Sequence, residues 1–225
     1  MQNKQKHKRV NDILLGSLER PALQWLAAHM PSWVHSDLLT GLGFVGSLIT
    51  FAGYILTNRN PNYLWLASVG FIVNWFGDSL DGTLARYRKA ERPRFGFYID
   101  HVIDVISSAL VFISLGISPY VDITVACFAL IGYLMLSTLV YITTYVNGVF
   151  KISYAGLGPT ELRLMAIIAN AVIFFIGNPV LSTPIGQLVL YDIIIAIIAG
   201  LLFTFFTVSA LTQIKQLVNI DQTDK

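Results

Sequence analysis

Only one of the 225 residues is a cysteine, Cys127. An internal disulfide and any multi-cysteine zinc or iron–sulfur centre are therefore excluded, and Cys127, set in an apolar stretch, reads as core packing. Charge is scarce as well: Asp, Glu, Lys and Arg make up 12% of the chain, against roughly 25% in soluble globular proteins. A chain so poor in charge cannot cover itself with a water-compatible surface, which excludes a disordered protein, a soluble enzyme and a conventional nucleic-acid binder. What is abundant is apolar: 55% of residues are hydrophobic and the mean hydropathy is +0.64. These values identify an integral membrane protein whose surroundings are the lipid bilayer, with no nucleic-acid partner.

A helix needs about 20 apolar residues to cross a bilayer, and six stretches qualify, near 37–57, 62–86, 96–116, 121–146, 161–178 and 187–212. Turn signals separate them, among them Asn58-Arg59-Asn60-Pro61 and Gly156 to Pro159. Residues 10–30 read as a helix carrying Val10, Ile13, Leu14 and Leu18 on one face, then Ala22, Trp25 and Leu26 after a kink at Pro21. Glu19 and Arg20 interrupt the apolar run, so it is no signal peptide. It fits an amphipathic helix lying in the cytoplasmic interface, or one that simply packs on the bundle. The fold class expected is an all-α integral membrane protein: a basic tail and interfacial helix over 1–30, then one domain of six transmembrane helices over 31–225.

Lys and Arg set the direction, because cytoplasmic loops hold the excess of positive charge. With the N-terminus inside, fourteen of the fifteen fall on the inner side and only Arg59 on the outer. Both termini are expected in the cytoplasm, and the membrane is expected to be the inner (plasma) membrane of a prokaryotic cell.

Four acids lie where a bilayer disfavours them. Asp78 and Asp81 are spaced i,i+3 near the end of the second span, and Asp100 and Asp104 i,i+4 near the start of the third, so each pair shares one helix face. Helices joined by a short loop are antiparallel neighbours, and all four carboxylates can converge at the looped end. An acid at a membrane-helix centre costs roughly 2.5–3.5 kcal/mol, so the cluster needs compensation, from Arg86 or from divalent cations. An all-oxygen donor set selects Mg²⁺ or Mn²⁺ over zinc, and His101 points about 100° away from Asp100 on a helix, as a packing or supporting histidine. Four carboxylates could hold two ions roughly 4 Å apart, the spacing that clamps a phosphoryl group. Gly82 serves either a close substrate approach or close helix packing, with Ala85 small beside it.

Residues 78–104 read D-x2-D-G-x2-A-R-x9-G-x3-D-x3-D, which resembles the signature of the CDP-alcohol phosphotransferase (CDP-alcohol phosphatidyltransferase) family. Eight fixed positions make a chance match on the order of 10⁻¹⁰ per frame. The gap between Arg86 and Gly96 is nine residues where eight is commonest in the family. The resemblance implies an enzyme, a phospholipid-biosynthetic transferase in which an alcohol hydroxyl attacks the β-phosphorus of a CDP-alcohol and CMP is released. It implies Asp78, Asp81 and Asp100 as metal ligands, and Asp104 as both a metal-site residue and the general base. Asp78, Gly82, Ala85 and Arg86 become CDP-contacting positions. The family often carries Asn and Thr at the start of the first span; here Asp37 and Thr40 stand there, and Ser36 or Asp37 could instead simply cap that helix.

The expected donor is CDP-diacylglycerol. Arg163, Lys151 and Arg94, together with Arg92, are candidates for an acceptor pocket, since a phosphorylated acceptor would want cations; loop cations also follow from topology alone. Arg163 stands out because it sits at a helix start, where the dipole disfavours a cation. The family is commonly homodimeric, and Ser107, Ser108, Ala109, Gly132 and Ser137 are small enough for close packing between copies. Two other readings are a transferase using CDP-choline or CDP-ethanolamine with a lipid acceptor, and a cation transporter with intramembrane acids on its pathway. Against the transporter, the acids cluster at one end, while Asp122 and Asp192 read as isolated residues near the outer ends.

Overall fold

The computed structural model describes residues 8–10, 14–147, 149–151, 158–183 and 186–223. The chain runs β1 (Lys8–Val10), α1 (Gly16–His29), α2 (Ser36–Leu56), α3 (Tyr63–Tyr87), α4 (Pro93–Ile117), α5 (Ile123–Asn147), β2 (Val149–Lys151), α6 (Pro159–Ile176), β3 (Val180–Thr183), β4 (Gly186–Val189) and α7 (Leu190–Thr223). The first five expected spans match α2 to α6 with ends within three residues. The sixth does not: β3 and β4 form an antiparallel hairpin ahead of it, and α7 continues 11 residues past the expected end at 212. Five helices are long and apolar enough to cross a membrane among the described residues: α2, α4, α5, α6 and α7. In α3, Asn74, Asp78 and Asp81 dilute the apolar run. The chain is a multi-pass, all-helical membrane protein.

The stretch expected as one helix over 10–30 is shorter. Residues 8–10 are strand, paired in parallel with 149–151, and the helix begins at Gly16 and runs through Pro21 without a break; residues 1–7 and 11–13, with Lys4, Lys6 and Ile13, lie outside the described residues. Helix α1 has two apolar sides. Leu23 and Ala27 pack with Val34, Leu39, Leu80 and Leu84, whereas Leu18 and Trp25, and Leu14 just ahead of the helix, are exposed.

Helices α2 and α3 make the most extensive contact in the protein, and glycine is the reason. A Cβ on Gly46 would stand 2.3 Å from the Asn74 nitrogen, and one on Gly77 2.3 Å from the Gly43 nitrogen. No side chain fits there. Without a hydrophobic drive between apolar helices in lipid, backbone approach and interhelical hydrogen bonds do the joining. Asn74 Nδ2 donates to Gly43 O at 2.9 Å and to Ser47 Oγ at 3.1 Å. On the other side of α3, Tyr54 donates to Asn170 Oδ1 at 2.9 Å and Asn170 to Ser68 Oγ at 3.2 Å, which ties α2, α6 and α3 through buried groups.

Around this centre the packing loosens. Helix α4 leans on α2 and α5, and α5 on α7. Gly132 faces Leu202 of α7, with 3.1 Å from an added Cβ to the Leu202 Cβ, so that glycine is used inside the chain rather than between copies. Asp122 and Asp192 are not isolated from each other: the Asp122 amide donates to Asp192 Oδ1 at 2.7 Å. In the loop before α5, Thr124 hydrogen-bonds to the Asp122 carboxyl and holds it below the usual carboxylate range.

Candidate active site

The glycine contact between α2 and α3 decides what the polar end of the bundle looks like. It lays Thr40 on Asp81, whose Oδ2 accepts the Thr40 hydroxyl at 2.6 Å, and it brings Gly43 up against the Asp78 amide. Helix α4 starts with Pro93, whose missing N–H costs nothing in a first turn, and runs alongside α2 in the same direction, its end meeting Asn58 just past the end of α2. Thr40, Gly43, Asn74, Asp78, Asp81, Asp100, Ile103 and Asp104 then line one cavity of about 10 Å³. All four acids singled out in the sequence meet there. Asp81 is buried, 5% exposed, and also accepts the Gly82 amide.

The compensating cation is a surprise. Arg163, from the first turns of α6, donates Nη2 to Asp78 Oδ2 at 2.6 Å, while Arg86, the expected neutraliser, turns to Thr83 Oγ1 at 3.1 Å. The reason is reach: α6 packs on α3 and carries Arg163 across, whereas Arg86 lies beyond the acids, toward the end of α3. Arg163 Nη1 is buried without a hydrogen-bond partner, so the guanidinium keeps a spare donor. Gly82 has as its nearest neighbour the Arg86 Nη1, 3.3 Å from an added Cβ; its missing side chain makes room for that guanidinium, and the helix-packing alternative gains nothing.

A second cavity of about 250 Å³ lies outside the first, lined by His35, Ser36, Asp37, Leu84, Ala85, Arg88, Ala90 and Arg92. The expected nucleotide positions are thus divided: Asp37 and Ala85 on the larger cavity, Thr40 and Asp78 on the smaller. Neither Ser36 nor Asp37 caps α2; His35 holds the N-cap position, without a side-chain hydrogen bond. Asp37 instead pairs with Arg92 of the α3–α4 loop. That loop leaves α3 through Lys89, in the left-handed region at φ 53°, with Ala90 N–H bonded to Ala85 O at 2.9 Å and Lys89 N–H to Arg86 O at 3.1 Å, a Schellman ending. Arg88 is spent on structure, donating to the carbonyls of Met30, Pro31 and Val34. Arg94 is exposed at the start of α4, and the Lys151 side chain lies outside the described ones, as do residues 152–157.

The donor set suits a hard divalent cation: four carboxylates, no sulfur, and a histidine engaged elsewhere, since His101 stacks on Phe97 at 4.0 Å and meets Tyr141 edge-on at 4.5 Å. Among the described residues no three acidic, histidine or cysteine side chains form a ready-made ion cage. Asp78 is turned to Arg163 and Asp81 to Thr40, and the cavity has room for about one water-sized occupant.

Sequence reasoning missed two contributors. Asn74 is one turn before Asp78 on the same face, a signal available in the spacing alone. Glu19 accepts Trp75 Nε1–H at 2.7 Å and the Thr160 hydroxyl at 2.8 Å, which no local pattern announces.

The polar end of this helical bundle thus gathers four carboxylates around one cavity, with the part-buried Arg163 paired to one of them. The chain belongs to the CDP-alcohol phosphatidyltransferase family, whose pattern matches residues 33–212. It is also 26% identical over 163 residues to cholinephosphotransferase 1 of Danio rerio, a match covering 68% of this chain and 41% of that protein. The chain spans about two fifths of the length of that curated relative.

Proposed function

We propose that the protein transfers a substituted phosphate group from a CDP-alcohol to an alcohol hydroxyl in phospholipid synthesis. The observation that supports this most is the meeting of Asp78, Asp81, Asp100 and Asp104 around one cavity beside Arg163. Asp104 takes the proton from the acceptor hydroxyl, the freed oxygen bonds to the β-phosphorus, and the bond from that phosphorus to the CMP oxygen breaks, so CMP leaves. A positioned base contributes about 10²–10⁴-fold. The carboxylates would hold Mg²⁺ or Mn²⁺, two ions in the full site, which supply charge neutralisation for the pyrophosphate. Asp37, Thr40, Gly82, Ala85 and Arg86 line or border the route for the nucleotide. Arg163, with its spare buried donor, serves a phosphate oxygen of donor or acceptor.

Two donor classes remain in play. CDP-diacylglycerol suits the basic rim of Arg92 and Arg94, whereas the likeness to a cholinephosphotransferase favours CDP-choline or a similar soluble CDP-alcohol with a lipid acceptor. In either case six helices including α3 cross the membrane, the exposed Leu18 and Trp25 side of α1, with Leu14 just ahead of it, lies in the interface, and the acidic end with both termini faces the cytoplasm. A homodimer is expected.

The test is CMP release by protein purified in detergent, with Mg²⁺ or Mn²⁺. CDP-diacylglycerol is offered with inositol phosphate, glycerol phosphate, serine or inositol, and CDP-choline or CDP-ethanolamine with diacylglycerol. Release that needs both substrates and stops with chelator supports the reading and names the donor. No release from any pair, in folded protein, rejects it and makes cation transport the next assay.

A further inference from the structure

Helix α1 lines neither cavity, but its Glu19 ties α3 and α6 together beside the acidic site. Its contacts form a closed set. Glu161, 5% exposed, accepts two backbone N–H groups: Gly158 at the start of its own helix, 2.9 Å, and Leu15 at the start of α1, 2.9 Å. Both donors are among the first amides of a helix, which have no partner within it, and a carboxylate is favoured at each positive helix end. One buried side chain thus joins the beginnings of two helices. One turn along α1, Glu19 Oε1 accepts Thr160 Oγ1 of α6 and Trp75 Nε1 of α3. Trp75 precedes Asp78 by three residues, and Arg163 follows Thr160 by three. The Arg163–Asp78 pair at 2.6 Å then closes a triangle of α1, α3 and α6.

We propose that α1 is a strap that sets Arg163 against Asp78, with Glu19 and Glu161 as its positioning residues. Arg163 rides on the first turns of α6, the part of a helix held least by its own hydrogen bonds. Its place relative to α3 therefore depends on what grips that turn, and the grip is Glu19 on Thr160 with Leu15 on Glu161. The catalytic consequence rests on the function proposed above: the strap holds the guanidinium where it can meet a substrate phosphate.

Thermal midpoints of the full chain in detergent test the strap without reference to turnover. Glu19→Ala is expected to lower the midpoint by about 4–8 °C, and Glu19→Gln to recover most of that, because its amide oxygen still accepts both donors. In an Asp78→Ala background the Glu19→Ala deficit should shrink to half or less, the signature of residues in one network. Thr160→Val removes the same link from the α6 side and serves the same comparison should Glu19→Ala fail to fold. Equal deficits in both backgrounds, or Glu19→Gln as low as Glu19→Ala, would overturn the proposal. In the CMP-release assay Glu19→Ala should raise the KM of the donor or of the acceptor, whichever phosphate Arg163 meets, about three- to tenfold with kcat within twofold, and Glu19→Gln should restore it; a fall in kcat alone would mark a merely structural role and overturn the positioning. Absence of CMP release from wild type as well would reject the reaction, while the midpoint comparison would still decide the strap.

Discussion

Between α2 and α3 the backbones touch through Gly43, Gly46, Gly53, Gly70 and Gly77, and 39% of the α2 span is buried within the protein. Across the bundle, α4 and α7 bury only 6% of theirs, and Gly200 of α7 has nothing within 4 Å of an added Cβ. Tight packing is concentrated around Asp78 and Asp81, while Asp100 and Asp104 reach the same cavity from the loosely packed α4. The outer helices are left mostly to surroundings of their own polarity, where a displaced apolar side chain loses little. Charge placement needs rigid walls because a carboxylate that drifts in a low-dielectric site loses its partners and stays costly.

The largest expected break of this contrast is chemical. Asp104→Asn, on the loosely packed α4 but facing the tight cavity, should cut CMP release by about 10²–10⁴-fold with the thermal midpoint nearly unchanged; chelation should do the same to wild type. Next is Gly77→Ala, which forces α2 and α3 apart and should cost about 1–3 kcal/mol, or roughly 2–4 °C for each of these. Gly200→Ala is its control, and an equal loss at both would end the distinction between the two regions. Tyr54→Phe should cost about 1–3 kcal/mol by leaving Asn170 Oδ1 buried and short of a donor, measured as the midpoint of the folded chain. Smallest is Lys89→Gly, a gain of about 0.5 kcal/mol as the left-handed position loses its Cβ; a loss there would mean that the Lys89 side chain holds the loop.

Much of this was legible in advance. The polar interruptions and prolines delimit α2 to α6, since a membrane span must be apolar for a known length. The i,i+3 and i,i+4 spacings put each pair of acids on one helix face, but α3 and α4 are not the packed neighbours their short loop suggested: α2 lies against both and brings the two pairs to one cavity. Other features were not legible. Arg86 and Arg163 are both arginines near acids in the chain's logic, and only the packing of α6 on α3 selects Arg163. The Asp37 carboxylate looked equally suited to a helix cap, but Arg92 reaches it through a loop whose exit depends on one left-handed residue. Gly132 looked free for a second copy until α7 came to lie on it.

Composition, hydropathy and motif spacing by themselves determined a helical membrane protein with a carboxylate cluster at one end, because bilayer thickness and helix periodicity act on local sequence. Tertiary structure alone decided which cation neutralises that cluster, how its lining divides between two cavities, and how α1 grips α6. Those outcomes turn on contacts between residues up to 146 positions apart, and no local pattern encodes which of several similar side chains will arrive.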